Sequence, residues 1–175
     1  MINIREVTEE DAEQVENVFY KTWLKTYPNK DVGITEDDIH EMFKNSFSKE
    51  NLDKRKEGLK KLPINCKFFV AEEKDTKIVG VCRIYNKEDY NQLQSIYVLS
   101  EYQGKGVGKM FWIEAKKFFI KNKKIIVQVA TYNNNAIKFY EGLGFKDNGK
   151  RFSEERHRMP ISKVLIPEME MEVLI

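Results

Sequence analysis

A glycine-rich segment at residues 103–109 constrains the fold of this chain more than any other part of the sequence. It reads Gln-Gly-Lys-Gly-Val-Gly-Lys and lies between two different apolar patterns. Residues 93–99 before it are strand-like, and residues 110–119 after it carry apolar side chains at helical spacing. A glycine-rich turn at a helix N-terminus presents unpaired amides, and the helix dipole there also favours negative charge. The sequence therefore predicts an anion site at a strand-to-helix turn.

The spacing of the glycines excludes two common phosphate-binding loops. A Walker loop needs a glycine well before its Gly-Lys pair and a Ser or Thr after the lysine, but this chain has Gln103 and Met110 at those places. The dinucleotide loop needs Gly-x-Gly-x-x-Gly, whereas Gly104, Gly106 and Gly108 alternate with single residues. The pattern that remains is Gln-x-x-Gly-x-Gly, with Gln103 as its first member.

Length and composition fit one folded domain, and we expect residues 1–175 to form it. The chain has 175 residues, of which 41% are hydrophobic, with 30 basic and 28 acidic side chains. A net charge of +2 does not supply the dominant basic face of a nucleic-acid-binding protein, so no nucleic-acid partner is expected. Cys66 and Cys82 are too few for a disulfide framework or a zinc site, and we expect two reduced, buried thiols.

The N-terminal segment and the hydropathy of the chain argue against a membrane protein. Residues 1–7 lack the charged-then-apolar layout of a signal peptide. No window approaches the ~18 uninterrupted apolar residues of a transmembrane helix. We therefore expect no membrane partner and a cytoplasmic location.

Hydrophobic periodicity predicts strands and helices in a definite order. A short strand at residues 2–7 precedes two amphipathic helices, and a capping-box variant at residues 35–38 opens the second of them. A lysine-rich surface helix over residues 48–62 follows. Three strands then lead to the glycine-rich segment, and a turn near Asp75 joins the first two.

The second half of the chain continues this alternation. The sequence predicts a helix over residues 109–122, an apolar strand, a helix capped by an asparagine, and two final strands. The last strand spans residues 168–175. Its alternating pattern predicts a half-buried strand with Glu168, Glu170 and Glu172 toward solvent.

A second motif follows the apolar strand and agrees with the glycine-rich segment. Residues 133–140 read Asn-Asn-Asn-Ala-Ile-Lys-Phe-Tyr, and Gly144-Phe145 come shortly after. Together with Gln103-x-x-Gly106-x-Gly108 and the order of elements, this motif resembles the GNAT superfamily of acetyl-CoA-dependent N-acetyltransferases. The resemblance implies an α/β (α+β) fold with a mixed, mostly antiparallel sheet of about seven strands flanked by helices. In that fold the fourth and fifth strands splay apart.

The resemblance implies acetyl-CoA as co-substrate, no metal, and a set of residues that binds the coenzyme. Amides of the glycine-rich segment would hold the pyrophosphate. Unpaired groups of the fourth strand would bind the pantetheine arm and polarise the thioester carbonyl. The implied coenzyme-binding residues are Ile96, Tyr97, Val98, Gln103, Gly104, Lys105, Gly106, Val107, Gly108, Lys109, Asn133 and Tyr140. Two alternatives stay open, in which Lys105 and Lys109 are merely solvated and Asn133 only caps its helix.

Tyr140 is the catalytic residue that the resemblance implies. Acyl transfer in the family passes directly from thioester to amine, and a neutral phenol can give a proton to the departing thiolate. Neither cysteine falls within the motifs, so no cysteine nucleophile is expected. The alternative is that Tyr140 is only a core aromatic residue.

The sequence leaves the general base unassigned. Many relatives place a carboxylate on the strand before the glycine loop, where this chain has Gln92 and Gln94. Glu88 and Asp89 lie just upstream, but polar residues are common in such turns. Proton removal through ordered water and backbone groups is the default hypothesis.

The acceptor is expected to be a small-molecule amine or a peptide. Residues 23–29 and 34–38 resemble bacterial GNAT proteins related to the spermidine/spermine acetyltransferases, and Trp23 and Tyr27 are the candidate substrate-binding residues. A polyamine would also be attracted by the acidic residues Glu36, Asp37, Asp38 and Glu41. These acidic residues equally fit a helix cap. A protein or peptide N-terminus is the rival acceptor.

Two further functions compete with an enzyme. A non-catalytic acyl-CoA-binding domain on the same scaffold would lose the proton donor, so the presence of Tyr140 argues against it. RNA binding by the basic residues 151–158 is weakened by Glu154 and Glu155 among them. A homodimer is a further expectation.

Overall fold

The computed structural model describes residues 1–74 and 77–174 as a seven-stranded sheet with five α-helices. The strands are β1 (Ile2–Glu6), β2 (Cys66–Glu73), β3 (Lys77–Asn86), β4 (Asn91–Val98), β5 (Lys124–Ala130), β6 (Lys146–Phe152) and β7 (Glu168–Leu174). The helices are α1 (Ala12–Thr26), α2 (Glu36–Phe43), α3 (Lys49–Lys60), α4 (Val107–Phe118) and α5 (Asn134–Gly142). The turn expected near Asp75 and the strand end expected at Ile175 lie outside the described residues. Among the residues described, no helix is both long and apolar enough to cross a membrane.

The sheet has the order β1-β2-β3-β4-β5-β7-β6, and only the β4–β5 pair is parallel. β4 pairs with β5 only from Asn91 to Leu93 and then diverges from it. On its other side β4 stays paired with β3 as far as Val98, with a bulge at Gln94. The predicted α/β fold with splayed fourth and fifth strands is confirmed.

α1 and α4 cover opposite faces of the sheet. Side chains alternate between the two faces along a strand, so those of Tyr97 and Val98 point in opposite directions. Phe19 of α1 lies against Tyr97, with ring centroids 5.6 Å apart. Phe111 of α4 lies beside Gly80, the β3 partner of Val98. The gap between β4 and β5 therefore opens at a point where a helix covers each face of β4.

α4 begins and ends earlier than the predicted helix over residues 109–122. Gly106 adopts a left-handed φ of 84° and forms the N-cap. Beyond Phe118, the buried side chain of Asn91 accepts a hydrogen bond from the amide of Ile120 at 3.0 Å and donates one to its carbonyl at 2.8 Å. These bonds occupy backbone groups that a longer helix would use. The predicted end was wrong because Asn91 lies on a distant strand.

The predicted orientation of the last strand is wrong for two of its glutamates. Glu168 and Glu170 are each 7% exposed, because β7 lies between β5 and β6 inside the sheet. Glu170 accepts hydrogen bonds from Asn148 at 2.8 Å and Lys150 at 3.0 Å. Glu168 contacts His157, with 3.1 Å between Oε2 and Nδ1. Buried carboxylates are stable only with such partners.

Asp38 ties the start of α2 to the connection between β6 and β7. The predicted capping box is confirmed, because Thr35 and Asp38 each accept a hydrogen bond from the other's amide, at 3.2 and 2.9 Å. The second carboxylate oxygen of Asp38 accepts from the amides of Ile161 and Ser162 at 3.0 and 2.7 Å. Asp38 is fully buried. Because backbone amides occupy both of its carboxylate oxygens, Asp38 is not available to a polyamine, and the expectation that Asp38 attracts one was wrong.

These hydrogen bonds make Asp38 a pH-dependent stabiliser. Burial alone would raise its pKa, but the bonds from Ser162 and Thr35 outweigh burial and lower the pKa of Asp38 to about 2. The stabilisation is complete above the unfolded-state pKa of ~3.9 and is lost as the pH falls toward 2. We expect Asp38→Asn to lower the free energy of unfolding at pH 7 by about 1–3 kcal/mol.

Urea unfolding followed by circular dichroism at neutral and acid pH measures this effect. The difference between Asp38→Asn and the unmodified protein should shrink as the pH falls toward 2. Asp37→Asn is the matched control, since Asp37 is exposed in the same helical turn. Equal losses in the two variants would show that the helix dipole, and not the contact with residues 161 and 162, stabilises this region.

Candidate active site

A cavity of about 840 Å³ lies between β4, the glycine-rich segment and the start of α5. Of the predicted coenzyme-binding residues, Lys105 is absent from its walls. Those that line it are Ile96, Tyr97, Val98, Gln103, Gly104, Gly106, Val107, Gly108, Lys109, Asn133 and Tyr140. The structure therefore brings the glycine motif and the Asn133 motif to one site.

The glycine-rich segment turns sharply into α4. Gly104 and Gly106 have φ values of 75° and 84°, which side chains with a Cβ rarely adopt. The side-chain amide of Gln103 donates to the carbonyl of Val98 at 2.9 Å and so ties the segment to the end of β4. The first amides of α4 have no acceptor within the helix. They form, with the helix dipole, an anion site at the wall of the cavity.

Gly108 allows α4 and α5 to meet. A Cβ at this position would lie 2.9 Å from the ring of Phe139. Asn133 caps α5, where its side chain accepts from the amide of Ala136 at 3.1 Å. The helix-capping alternative for Asn133 is thus present, and the same residue also lines the cavity.

The lysines near the cavity differ in position. The Lys105 ammonium lies 4.8 Å from the centre of the ring of Tyr102, a residue that lines the cavity, but Lys105 itself is not part of the lining. Lys109 does line the cavity, and so does Lys25 of α1. Sequence reasoning missed Lys25 and its neighbours Thr22 and Thr26, because no motif marks the face of α1 that turns toward β4.

The edge of β4 that faces β5 lacks a strand partner beyond Leu93 in the part of the chain that the structure describes. This edge belongs to Ile96, Tyr97 and Val98, which line the cavity. Unpaired backbone groups at a sheet edge bind an extended partner readily. A pantetheine arm, which carries two amides, suits such an edge.

Tyr140 lies on the same cavity wall and is 5% exposed. Its ring packs edge-on against Phe139 and Phe145, with centroids 5.3 and 5.6 Å away. Burial raises the pKa of Tyr140 well above its ordinary value, and the nearby Tyr97 raises it further. Among the described residues, none forms a hydrogen bond with its hydroxyl group. Tyr140 is therefore a neutral phenol whose proton is available to a group in the cavity.

Three tyrosines form a polar link at the α1 end of the cavity. The hydroxyls of Tyr27 and Tyr97 are 2.8 Å apart, and Tyr132 donates to the carbonyl of Tyr27 at 3.0 Å. Tyr97 and Tyr132 line the cavity, whereas Tyr27 and Trp23 lie behind them. The rings of Trp23 and Tyr27 are 4.4 Å apart. The two candidate substrate-binding residues thus reach the site through Tyr97 and Tyr132.

Glu168 and His157 lie behind the tyrosines at this end of the cavity, outside its lining, and sequence reasoning did not single them out. His157 packs edge-on against Trp23 at 6.2 Å and meets Glu168 at 3.1 Å. Burial raises the pKa of Tyr27, Tyr97 and Tyr132, and the negative charge of Glu168 raises each of them further. The alternating glutamates of the last strand gave no signal for this role, because the pattern does not reveal which neighbouring strands cover them.

The other acid–base candidates lie elsewhere. Glu88 and Asp89 precede β4, whereas the residues that line the cavity, Ile96 to Val98, are at its other end. Gln92 lies in the short paired stretch with β5. Glu36, Asp37 and Glu41 are exposed on α2. Within the described residues, no group of three or more His, Cys, Asp or Glu side chains is arranged to hold a metal ion.

The walls of the cavity fit coenzyme A. The glycine-rich turn offers amides to a pyrophosphate, the open edge of β4 offers backbone groups to an amide chain, and Tyr140 offers a proton to a thiolate. A family model for acetyltransferases of the GNAT family matches residues 34–145, more than half of the chain. The chain belongs to the GNAT acetyltransferase family. As a GNAT protein it is an N-acetyltransferase, and its acyl donor is acetyl-CoA.

Two curated proteins illustrate the relatives of this GNAT chain. A prophage-derived uncharacterized N-acetyltransferase of Bacillus subtilis is 31% identical over 87 residues, which are 47% of this chain and 49% of that protein. That match therefore spans about half of the relative. The spermidine N(1)-acetyltransferase of Thermoplasma acidophilum is 29% identical over 151 residues, which are 83% of this chain and 88% of that protein.

Solved GNAT structures share the fold. The PaiA N-acetyltransferase of Thermoplasma acidophilum, crystallised with coenzyme A, superimposes with a TM-score of 0.70 at 24% identity and covers 100% of this chain and 99% of its own. A GNAT-family acetyltransferase of Streptococcus pneumoniae gives a TM-score of 0.70 at 19% identity, with coverage of 100% and 99%. At these identities the likeness supports the fold alone.

Gly106 provides a test of the coenzyme site. We expect Gly106→Val to weaken acetyl-CoA binding at least tenfold in calorimetry, because a β-branched residue resists the φ of 84° that starts α4. Gly149→Val is the matched control, since Gly149 has a φ of 85° in β6, with nothing within 4 Å of an added Cβ. It imposes the same backbone strain away from the cavity. Normal affinity in Gly106→Val would refute this coenzyme assignment.

Proposed function

We propose that this N-acetyltransferase transfers the acetyl group to a primary amine of a small cationic molecule of the polyamine class. The observation that carries the proposal is the buried Glu168 carboxylate, which lies behind the cavity wall and whose charge acts on Tyr97 and Tyr132 of that wall. A buried carboxylate among aromatic rings suits an organic cation, which gains both charge pairing and ring contacts. The spermidine N(1)-acetyltransferase among the relatives supports the same substrate class.

The aromatic residues around Glu168 would hold the carbon chain of the acceptor. Tyr97 and Tyr132 line the cavity, and behind them Trp23 packs against Tyr27 with its ring tilted. An ammonium group at a ring face is stabilised by about 0.5–2 kcal/mol, more when water is excluded. Such a site favours a flexible cationic chain over an amine that carries a carboxylate, because Glu168 would repel the second charge.

The glycine-rich segment, the open edge of β4 and Tyr140 form the donor half of the site, which would stabilise the reaction in two ways. Acetyl-CoA supplies a thioester whose acyl carbon accepts the amine and whose thiolate leaves. An unpaired amide on the open edge of β4 would donate a hydrogen bond to the oxygen that becomes negative during attack. Tyr140 would give its phenolic proton to the sulfur as the carbon–sulfur bond breaks.

Glu168 and His157 would receive the proton that the amine loses. The acceptor must release this proton as its nitrogen bonds to the acyl carbon. The linked hydroxyls of Tyr27 and Tyr97 lie close enough to Glu168 for its charge to raise their pKa values. Tyr97 also raises the pKa of Tyr140. The hydroxyls of Tyr27 and Tyr97 thus lie between Glu168 and Tyr140, and ordered water would have to complete a path by which Tyr140 recovers its proton.

Replacement of Tyr140 tests the donor half. We expect Tyr140→Phe to lower kcat by about 10²–10⁴-fold, because general acid catalysis contributes that much. The dissociation constant for acetyl-CoA should stay nearly unchanged, since the ring and its packing remain. Thiol release measures the rate, and calorimetry measures the affinity. Tyr20→Phe is the control, because the Tyr20 hydroxyl contacts His40 and Tyr20 does not line the cavity, and a normal rate in Tyr140→Phe would remove the assignment.

Replacement of Glu168 tests the acceptor half. We expect Glu168→Gln to lower kcat/KM for spermidine at least tenfold, because a neutral amide neither pairs with the ammonium group nor takes its proton. Glu170→Gln is the matched control, since Glu170 is equally buried on the same strand and face but pairs with Lys150. Equal effects of the two substitutions would contradict the role of Glu168.

A panel of acceptors separates the rival substrate classes. The assay compares spermidine, a simple monoamine, free amino acids and a peptide N-terminus at equal concentration. We expect spermidine to be acetylated with the highest kcat/KM. A preference for the peptide would replace the polyamine proposal with N-terminal acetylation, and a lack of turnover with every acceptor would favour an acyl-CoA-binding role.

A further inference from the structure

A second cavity of about 530 Å³ lies on the α1 face of the sheet, between α1, α3 and β3. Its lining includes Glu16 of α1, Arg55 of α3, and Arg83 and Tyr85 of β3. It shares no lining residue with the coenzyme cavity. The acetyl-transfer reaction described above makes no use of this cavity.

The charges around this cavity do not balance. Arg55 forms an ion pair with Glu16, which is 3% exposed. Among the described residues no carboxylate pairs with Arg83, and its Nε is buried without a hydrogen-bond partner. Lys54 also lines the cavity but is paired with Glu50 at 2.6 Å. One guanidinium charge therefore remains uncompensated, and a buried donor without a partner is costly.

Aromatic rings hold both guanidinium groups in place. Arg83 lies over the ring of Phe68, its cross-strand neighbour, with 4.2 Å from Cζ to the ring centre. Arg55 lies over Phe19 at 5.5 Å. Burial lowers the pKa of Arg55, and the like charge of Arg83 lowers it further, while Glu16 opposes both effects. The two cations thus share a site in which an added negative charge would relieve their repulsion.

We infer that this cavity binds a small oxyanion, either a phosphate or a carboxylate, through Arg83 and Arg55. Arginine is suited to this task because its planar fork donates two parallel hydrogen bonds to such groups. Ser46, Asn51 and Tyr85 supply neutral polar groups at the same cavity. The oxyanion would take the unpartnered Nε–H of Arg83 and balance its charge.

Calorimetric titration with inorganic phosphate tests this inference. The protein is first saturated with coenzyme A, so that the glycine-rich segment cannot bind the added phosphate, and chloride at equal ionic strength is the blank. We expect saturable binding, and at least tenfold weaker binding in Arg83→Met, which keeps the packing on Phe68 but removes the charge. Lys61→Met is the control, because Lys61 is an exposed cation next to the end of α3 and outside the cavity.

Two further arms complete the test. Arg83→Lys keeps the charge without the planar fork, so it should bind phosphate more weakly than the unmodified protein, and this comparison holds even if Arg83→Met proves unstable. A titration with acetate in place of phosphate distinguishes the two ligand classes. The anion with the lower dissociation constant identifies the class that the cavity prefers. The inference would be overturned if neither anion bound saturably, or if the Arg83 variants bound the anion as tightly as the unmodified protein does.

Discussion

The divergence of β4 from β5 is the constraint on which the rest of the structure depends. After Leu93 the two strands no longer share main-chain hydrogen bonds, and β4 keeps only its partner β3. An open edge inside a sheet is unfavourable unless another group binds to it. The glycine-rich turn follows this edge directly, and Tyr140 stands across the gap. The cavity thus lies where β4 lacks a strand partner, and it suits a ligand that can form hydrogen bonds with the free edge of this strand.

The two halves of the active site rest on two different hydrophobic clusters. The large cluster includes Val107, Phe111, Tyr140 and Phe145 and supports the donor half. A smaller cluster around Ile34, Ile39, Ala130, Met159 and Ile166 supports Trp23, Tyr27 and Tyr132. Asp38 fastens α2 to the β6–β7 connection, close in sequence to His157. Tyr97 packs against the large cluster and bonds to Tyr27 of the smaller one, so it connects the two halves of the site.

Local features of the site could be predicted from the sequence, whereas long-range ones could not. The turn at Gly106, the cap at Asn133 and the box between Thr35 and Asp38 depend on residues within one helical turn of each other. Their physics is contained in a short stretch of chain. The place of Tyr140 at the cavity could also be predicted, because this residue is the last one of the local motif at residues 133–140.

Other features depend on partners far along the chain. Asn91 ends α4 from a strand, Glu168 is buried by strands on both sides, and Arg83 lies on a ring from β2. In each case the residue type alone predicts an ordinary polar position. The order of strands in the sheet determines the actual surroundings of each residue, and a periodic pattern does not specify which strands become neighbours. The polar residues that were missed are those whose partners are set by topology.

The contact between Gly108 and Phe139 links the two ends of the donor site mechanically. Phe139 fills the space that a Cβ at residue 108 would need, and the next residue along α5 is Tyr140. A larger residue at 108 would displace the ring of Phe139, and a shift of the helix at that point would also move Tyr140. Such a residue is tolerable only together with a smaller one at 139, so these two positions should covary among relatives. The packing of the helix that follows the glycine-rich segment is thus coupled to the position of the Tyr140 side chain at the cavity.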